Sequence, residues 1–195
     1  MTTKSSSRPR RTNAAAATDD RDQVLRDAVR PGIRVLFVGI NPGMRSAAIG
    51  HHFAGYSNRF WPLLFDAGLV SERLRAEDDE RLPEWGLGIT NLVPRATPGI
   101  DTIARAEYAA GLAGLRRKVR RLRPVIVAFV GVSLYRFIFE RKGPVELGAT
   151  AERFEGARVF VVPNPSGRNA NFTYAEMLDA FVTLRRAARR ARRVS

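Results

Sequence analysis

The chain has 195 residues, a length that suits one folded domain with tails. It contains no cysteine, which excludes disulfide frameworks, thiol nucleophiles, thiolate metal sites and a four-cysteine iron–sulfur cluster. Its net charge of +14 is carried almost wholly by arginine, Lys4, Lys118 and Lys142 being the only lysines, and so favours a polyanionic partner such as nucleic acid. Arginine richness also follows from genome composition, so charge alone does not decide the partner. No apolar run approaches the length of about eighteen residues that a membrane helix requires, and the chain is expected in the cytoplasm with no membrane association.

Residues 1–31 are rich in Ser, Thr, Ala and Arg and poor in large apolar side chains, which predicts a disordered basic tail. The folded domain is expected over 32–187, and 188–195 reads as a second basic arm. Ile33–Val38 is a short β-branched run ending at Gly39, hence a strand. Residues 57–68 suggest a helix opening at Ser57 and closing at Gly68, and 87–93 a second strand. From 102 to 122 an amphipathic helix sets Tyr108, Leu112, Leu115, Val119 and Leu122 on one face and arginines on the others.

Pro124 ends that helix, and Val125–Val130 follows as a continuous apolar run, as a strand buried on both faces requires. A helix over 132–140, a strand over 159–162 and a helix from about 174 complete the pattern. The fold class is therefore α/β: a single domain whose mostly parallel central sheet is flanked by helices.

Ligands of such sheets bind beyond the carboxyl ends of the strands. Three polar segments fall there: Gly39-Ile40-Asn41-Pro42-Gly43, Thr90-Asn91, and Pro163-Asn164-Pro165-Ser166-Gly167-Arg168-Asn169. Asn, Pro, Ser and Gly are also ordinary turn formers, so each loop taken singly has a purely structural explanation. Their combination is more specific.

The sequence resembles the mismatch-specific uracil and thymine DNA glycosylases of the uracil-DNA glycosylase superfamily. The resemblance rests on Gly39-Ile40-Asn41-Pro42-Gly43, on Phe53-Ala54, on Asn58-Arg59-Phe60-Trp61, on Gly88–Val93 with Arg95-Ala96-Thr97, and on Asn164-Pro165-Ser166-Gly167. It spans about residues 33–185. It implies that Asn41 positions the attacking water, that Phe53 stacks on the extruded base, and that Ile40 lends backbone groups to the base pocket. Asn164, Ser166 and Gly167 would hold the damaged strand, and Arg168 would enter the gap left by the flipped nucleotide. The implied partner is double-stranded DNA with mismatched or damaged bases, met by a monomer initiating base excision repair.

The chemistry is consistent with these residue types. A base inside a duplex is out of reach and must be flipped into a pocket. Breaking the N-glycosidic bond leaves positive charge on the sugar and negative charge on the base, so charge stabilisation can replace a strong nucleophile. Asn41 can accept a hydrogen bond from water and donate to a base carbonyl, but a neutral amide is no general base. This predicts a slow, selective enzyme. No lysine sits in a strand-end loop, so Schiff-base chemistry is not expected and the product is an abasic site.

Asn91 offers the base pocket a second amide, or equally a turn hydrogen bond. His51 and His52 are adjacent, with no cysteine or carboxylate cluster at metal-ligand spacing, so no metal and no cofactor is expected. Two alternatives differ in class: a basic module that holds DNA without catalysis, and a uracil glycosylase that prefers single strands. Release of free uracil separates the first, and comparison of single-stranded with G·U substrates the second.

Overall fold

The structure is a computed structural model and describes residues 24–97 and 100–191. Expectations for residues 1–23, including the tail arginines, and for Arg192 and Arg193 lie outside the described residues.

Five strands form one sheet in the order β2-β1-β3-β5-β4. They are β1 (Val35–Gly39), β2 (Leu87–Asn91), β3 (Ile126–Val130), β4 (Gly148–Phe154) and β5 (Ala157–Val162). The pairs β1·β2, β1·β3 and β3·β5 are parallel, and β4·β5 is antiparallel. The helices are α1 (Met44–Ile49), α2 (Phe60–Asp66), α3 (Arg105–Leu122), α4 (Val132–Phe139) and α5 (Tyr174–Ala191). A 3-10 stretch, Ala76–Trp85, precedes β2.

Strand pleating sends alternate side chains to opposite faces. In β1, Val35 and Phe37 enter one core with Phe60, Leu63, Phe181 and Leu184, while Leu36 and Val38 enter the other with Leu115, Val119 and Leu134. Two apolar layers on one strand explain why β1 and β3 show continuous rather than alternating hydrophobicity.

Three expectations need correction. The helix expected over 57–68 is shorter, because Asn58 Oδ1 rather than Ser57 accepts the Phe60 N–H at its start (3.0 Å). Strand β4 escapes a sequence reading because Ala, Thr, Glu and Arg fill it and it lies at the sheet edge. Its one local signal is the pair Glu155-Gly156, both at positive φ (49° and 87°), which makes a two-residue primed hairpin turn.

The third correction concerns the ends of the domain. The first described residues pack against β2 and the segment after it: Val24 bridges Arg95, Ala28 bridges Ile89, and Leu25 and Ala28 are buried. Asp27 pairs with Lys118 Nζ at 2.5 Å and accepts from Thr90 Oγ1 at 2.6 Å. Isolated apolar residues in a charged context give no periodic signal, and residues 24–28, expected in the tail, pack on the domain. At the other end, α5 runs unbroken through 188, where Ala188 is buried, so the 187/188 boundary falls inside a helix.

Leu25→Ala should therefore cost about 2–3 kcal/mol in urea unfolding, as loss of a buried leucine does. An unchanged midpoint would mean that residues 24–28 are a passive arm after all.

Candidate active site

The carboxyl ends of β1, β2 and β5 surround a cleft of about 640 Å³, lined by Asn41, Arg45, His52, Phe53, Tyr56, Asn91, Thr97, Asn164, Ser166, Gly167 and Arg168 among others. That volume lies in the range of small-molecule sites. Every site residue expected from the sequence lines this cleft except Ile40. The Ile40 side chain packs against the second core, and its carbonyl accepts the Val93 N–H at 2.8 Å, tying the β1 loop to the β2 loop. No Asp, Glu or Lys is among the residues that line the cleft, whereas Arg45 and Arg168 are.

Asn41 Nδ2 donates to Thr97 Oγ1 (2.8 Å) and to the Pro42 carbonyl (3.1 Å). Both amide hydrogens are thereby committed. The expected double use of Asn41, accepting from water while donating to a base, is corrected: Oδ1 is left as the acceptor, and a donor to the base must come from elsewhere. Thr97 lies 56 residues away; the sequence marks it only as part of Arg95-Ala96-Thr97, with no sign of this bond.

Phe53 occupies the left-handed backbone region at φ 53°, a conformation that costs a non-glycine residue about 1–3 kcal/mol. Its neighbours hold it there. Ala54 N–H donates to Ser46 Oγ, His52 N–H to Asp79 Oδ2, and Trp61 Nε1 to the His52 carbonyl. The Phe53 ring stacks on the fully buried Phe60 at a centroid distance of 4.0 Å and a tilt of 21°. Phe53 is thus a rigid aromatic platform at the cleft wall.

A carboxylate does reach the histidines. Asp79 is buried and binds His51 Nδ1 (3.1 Å) as well as the His52 backbone N–H. It belongs to the acidic run 77–80, which reads as solvated surface, so its role was not legible. Among the described residues no group of three or more His, Cys, Asp or Glu side chains could hold a metal ion.

The His52 imidazole is buried, with Nε2 on the Arg26 carbonyl (2.9 Å) and Nδ1 facing Asn91 Nδ2 (3.5 Å). A carbonyl only accepts, so Nε2 carries the proton and Nδ1 receives the Asn91 amide. Burial pushes the imidazole below its ordinary value of 6.5, against the raising influence of the Arg26 carbonyl, Asp79 and Asp27. The opposite end of the Asn91 amide lies against Gly39, where a Cβ would come within 2.7 Å of Oδ1.

The third loop is built from its own polar atoms. Asn164 Oδ1 accepts the Ser166 N–H (3.0 Å), Ser166 Oγ accepts the Arg168 N–H (3.3 Å), and Asn169 Nδ2 donates to the Asn164 carbonyl (2.8 Å). Arg168 is exposed, and its guanidinium makes no ion pair or hydrogen bond among the described residues. Across the cleft rim, Arg45 lies 3.9 Å over the ring of Tyr56, itself 89% exposed.

The family model for the uracil DNA glycosylase superfamily matches residues 27–185. The chain belongs to that superfamily. Its members are glycosylases that act on DNA, so DNA is the partner of this chain. A solution structure from Methanosarcina acetivorans, described as a candidate uracil DNA glycosylase, is similar at a TM-score of 0.60 and 15% identity, covering 84% of this chain and 96% of that one. At that identity the likeness concerns the fold, and the sheet is the one expected of the superfamily. Among the described residues no helix is long and apolar enough to cross a membrane.

Neutral His52 carries a pH consequence. The unfolded chain takes up this proton below about 6.5, the folded chain only at lower pH, so the unfolded state binds more protons between those values. Stability should fall as pH drops from 6.5 through the folded value, by at most about 1.4 kcal/mol per pH unit from this group. Urea unfolding at about pH 7.5 and about pH 5.5 should show a larger loss for the natural chain than for His52→Gln. Equal losses would place the proton uptake elsewhere.

Proposed function

We propose that the protein is a monofunctional glycosylase that hydrolyses the N-glycosidic bond of uracil, and of related bases including thymine, in mismatched duplex DNA. The observation that carries this reading is the fixed polarity of Asn41. With both N–H groups engaged, its oxygen accepts a hydrogen bond from the attacking water and aligns it on the anomeric carbon. The flipped base lies on Phe53, which replaces about 1–3 kcal/mol of lost stacking. The remaining Asn91 amide hydrogen and loop N–H groups supply donors to the base as its negative charge develops.

The absence of a carboxylate among the cleft-lining residues supports slow chemistry. A slow enzyme acts best on nucleotides that are cheap to flip, and mismatched bases are cheaper than paired ones. That is the physical basis for preferring G·U over A·U. The lack of lysine among the lining residues supports a product that is an abasic site rather than a broken strand. Arg168 fills the vacated position in the stack, while Asn164, Ser166 and Gly167 hold the phosphates of the opened strand.

Asn41→Ala should lower single-turnover excision from a G·U duplex by about two orders of magnitude or more while leaving duplex affinity within a few-fold. A variant as fast as the natural enzyme would remove Asn41 from the reaction.

Arg168→Ala tests the wedge. A guanidinium that fills the gap offsets part of the few kcal/mol needed to flip the nucleotide, so its loss should grow with the cost of opening. Excision should fall most on A·U, less on G·U and least on single-stranded uracil. An equal fractional loss on all three would reduce Arg168 to one phosphate contact among many.

A further inference from the structure

A second cleft, about 850 Å³, lies at the other end of the sheet. Its walls come from the amino-terminal starts of β1 (Arg34, Val35) and β2 (Gly86, Leu87), the turn after α2 (Gly68–Ser71), and the end of α5 (Arg185, Ala188, Arg189). The parallel strands run from this cleft toward the active site, about 16 Å away along five residues of β1.

Its charge is concentrated and unpaired. Arg34, Arg185 and Arg189 line it, and none of the three forms an ion pair among the described residues. The one acid in the lining, Glu84, already accepts from Arg81 at 3.4 Å. Arg185 Nε is buried and has no hydrogen-bond partner. A buried donor without an acceptor is costly, so Arg185 gains by turning its guanidinium toward an acceptor bound in the cleft. Basic residues at a helix end also complement the helix dipole, which explains Arg189 and Arg190 but not Arg185, and Arg34 Nη2 donates to the Trp85 carbonyl at 3.3 Å while its charge stays without an acid.

Two glycines make the arrangement possible. Gly68 and Gly86 both sit at positive φ (68° and 71°). A Cβ on Gly68 would lie 2.6 Å from Arg185 Nη1, and one on Gly86 2.9 Å from Arg34 Nε. Both guanidinium groups therefore lie directly against glycine backbone. The Trp85 ring, held by Nε1 donating to Ser71 Oγ at 3.0 Å, supplies an aromatic wall.

We propose that this cleft is a second phosphate-binding site, which takes the backbone of a nucleic-acid segment separate from the one in the active site. The chemistry is that of a phosphodiester: planar donors in a polar groove with no free acid. The two clefts lie at opposite ends of the strands, so one straight duplex does not enter both. A protein with two such sites holds a second segment while still bound to the first, and passes between them without release into solution.

The test uses the full chain and undamaged duplexes, so it does not depend on catalysis. The dissociation rate of a labelled duplex is measured against rising concentrations of unlabelled duplex. For the natural protein the rate should climb with competitor, the signature of direct transfer. In the single variant Arg189→Glu, and in the triple variant Arg34→Gln/Arg185→Gln/Arg189→Gln, it should become independent of competitor. Excision from a G·U duplex should stay within about two-fold and the salt slope of binding should fall by about 0.9 per arginine removed.

A natural protein whose rate ignores competitor overturns the proposal, as does competitor dependence that survives in both variants. Inorganic triphosphate supplies the other arm. If it binds the natural protein and not the triple variant while no transfer occurs, the cleft serves a small phosphorylated molecule and the nucleic-acid assignment fails.

Discussion

A Cβ on Gly167 would lie 2.2 Å from the Ser57 hydroxyl and 2.7 Å from the Ser57 carbonyl oxygen, so the loop after β5 and the loop before α2 meet backbone to backbone. Any side chain at 167 forces them apart. The contact is reinforced where the Arg59 N–H donates to the Pro165 carbonyl at 2.9 Å. The order β2-β1-β3-β5-β4 places β3 between β1 and β5, so their end loops start two strand spacings apart, about 10 Å. The segment from Phe53 to Asn58 spans that gap and is pinned to the far loop at Gly167. The cleft, the Phe53 ring in its wall and the loop after β5 share this one dependence.

A second dependence is the fixing of amide polarity. Asn41 and Asn91 stand at the ends of neighbouring strands, where Gly39 and Asn91 are in register. Each amide is oriented by a partner distant in sequence: Thr97 for Asn41, His52 for Asn91. An amide free to turn would offer water a donor half the time. Held as they are, the two side chains present defined acceptors and donors before any substrate arrives, which is the economy on which neutral-residue catalysis depends. The neutral state of His52 is part of that device, because a protonated Nδ1 could not accept from Asn91.

How much of this was legible in the sequence follows from which signals are local. The parallel strands and α3 announce themselves by continuous or helical apolar patterns, and the three strand-end loops by their Asn, Pro and Gly content. The site residues on those loops could be named, and seven of the eight line one cleft. Asp79 and Leu25 could not, and Thr97 only as part of Arg95-Ala96-Thr97, because each acts through a contact made by the fold rather than by its neighbours in the chain. The expectation for Ile40 concerns its backbone groups; its side chain packs against the second core and its carbonyl accepts the Val93 N–H. Edge strand β4 shows the same limit: half-exposed, short of apolar residues, it is held mainly by pairing with β5.

The proposed reaction is one covalent event, the release of an intact base by water positioned on Asn41. The measurement that tests it most directly is mass-spectrometric identification of the products from a duplex with a single G·U pair, in chelator and with the natural chain. Free uracil, together with a full-length strand that breaks only on alkaline treatment, is the predicted result. A tightly bound duplex from which no base is released, or a strand already cleaved before alkali, would contradict it.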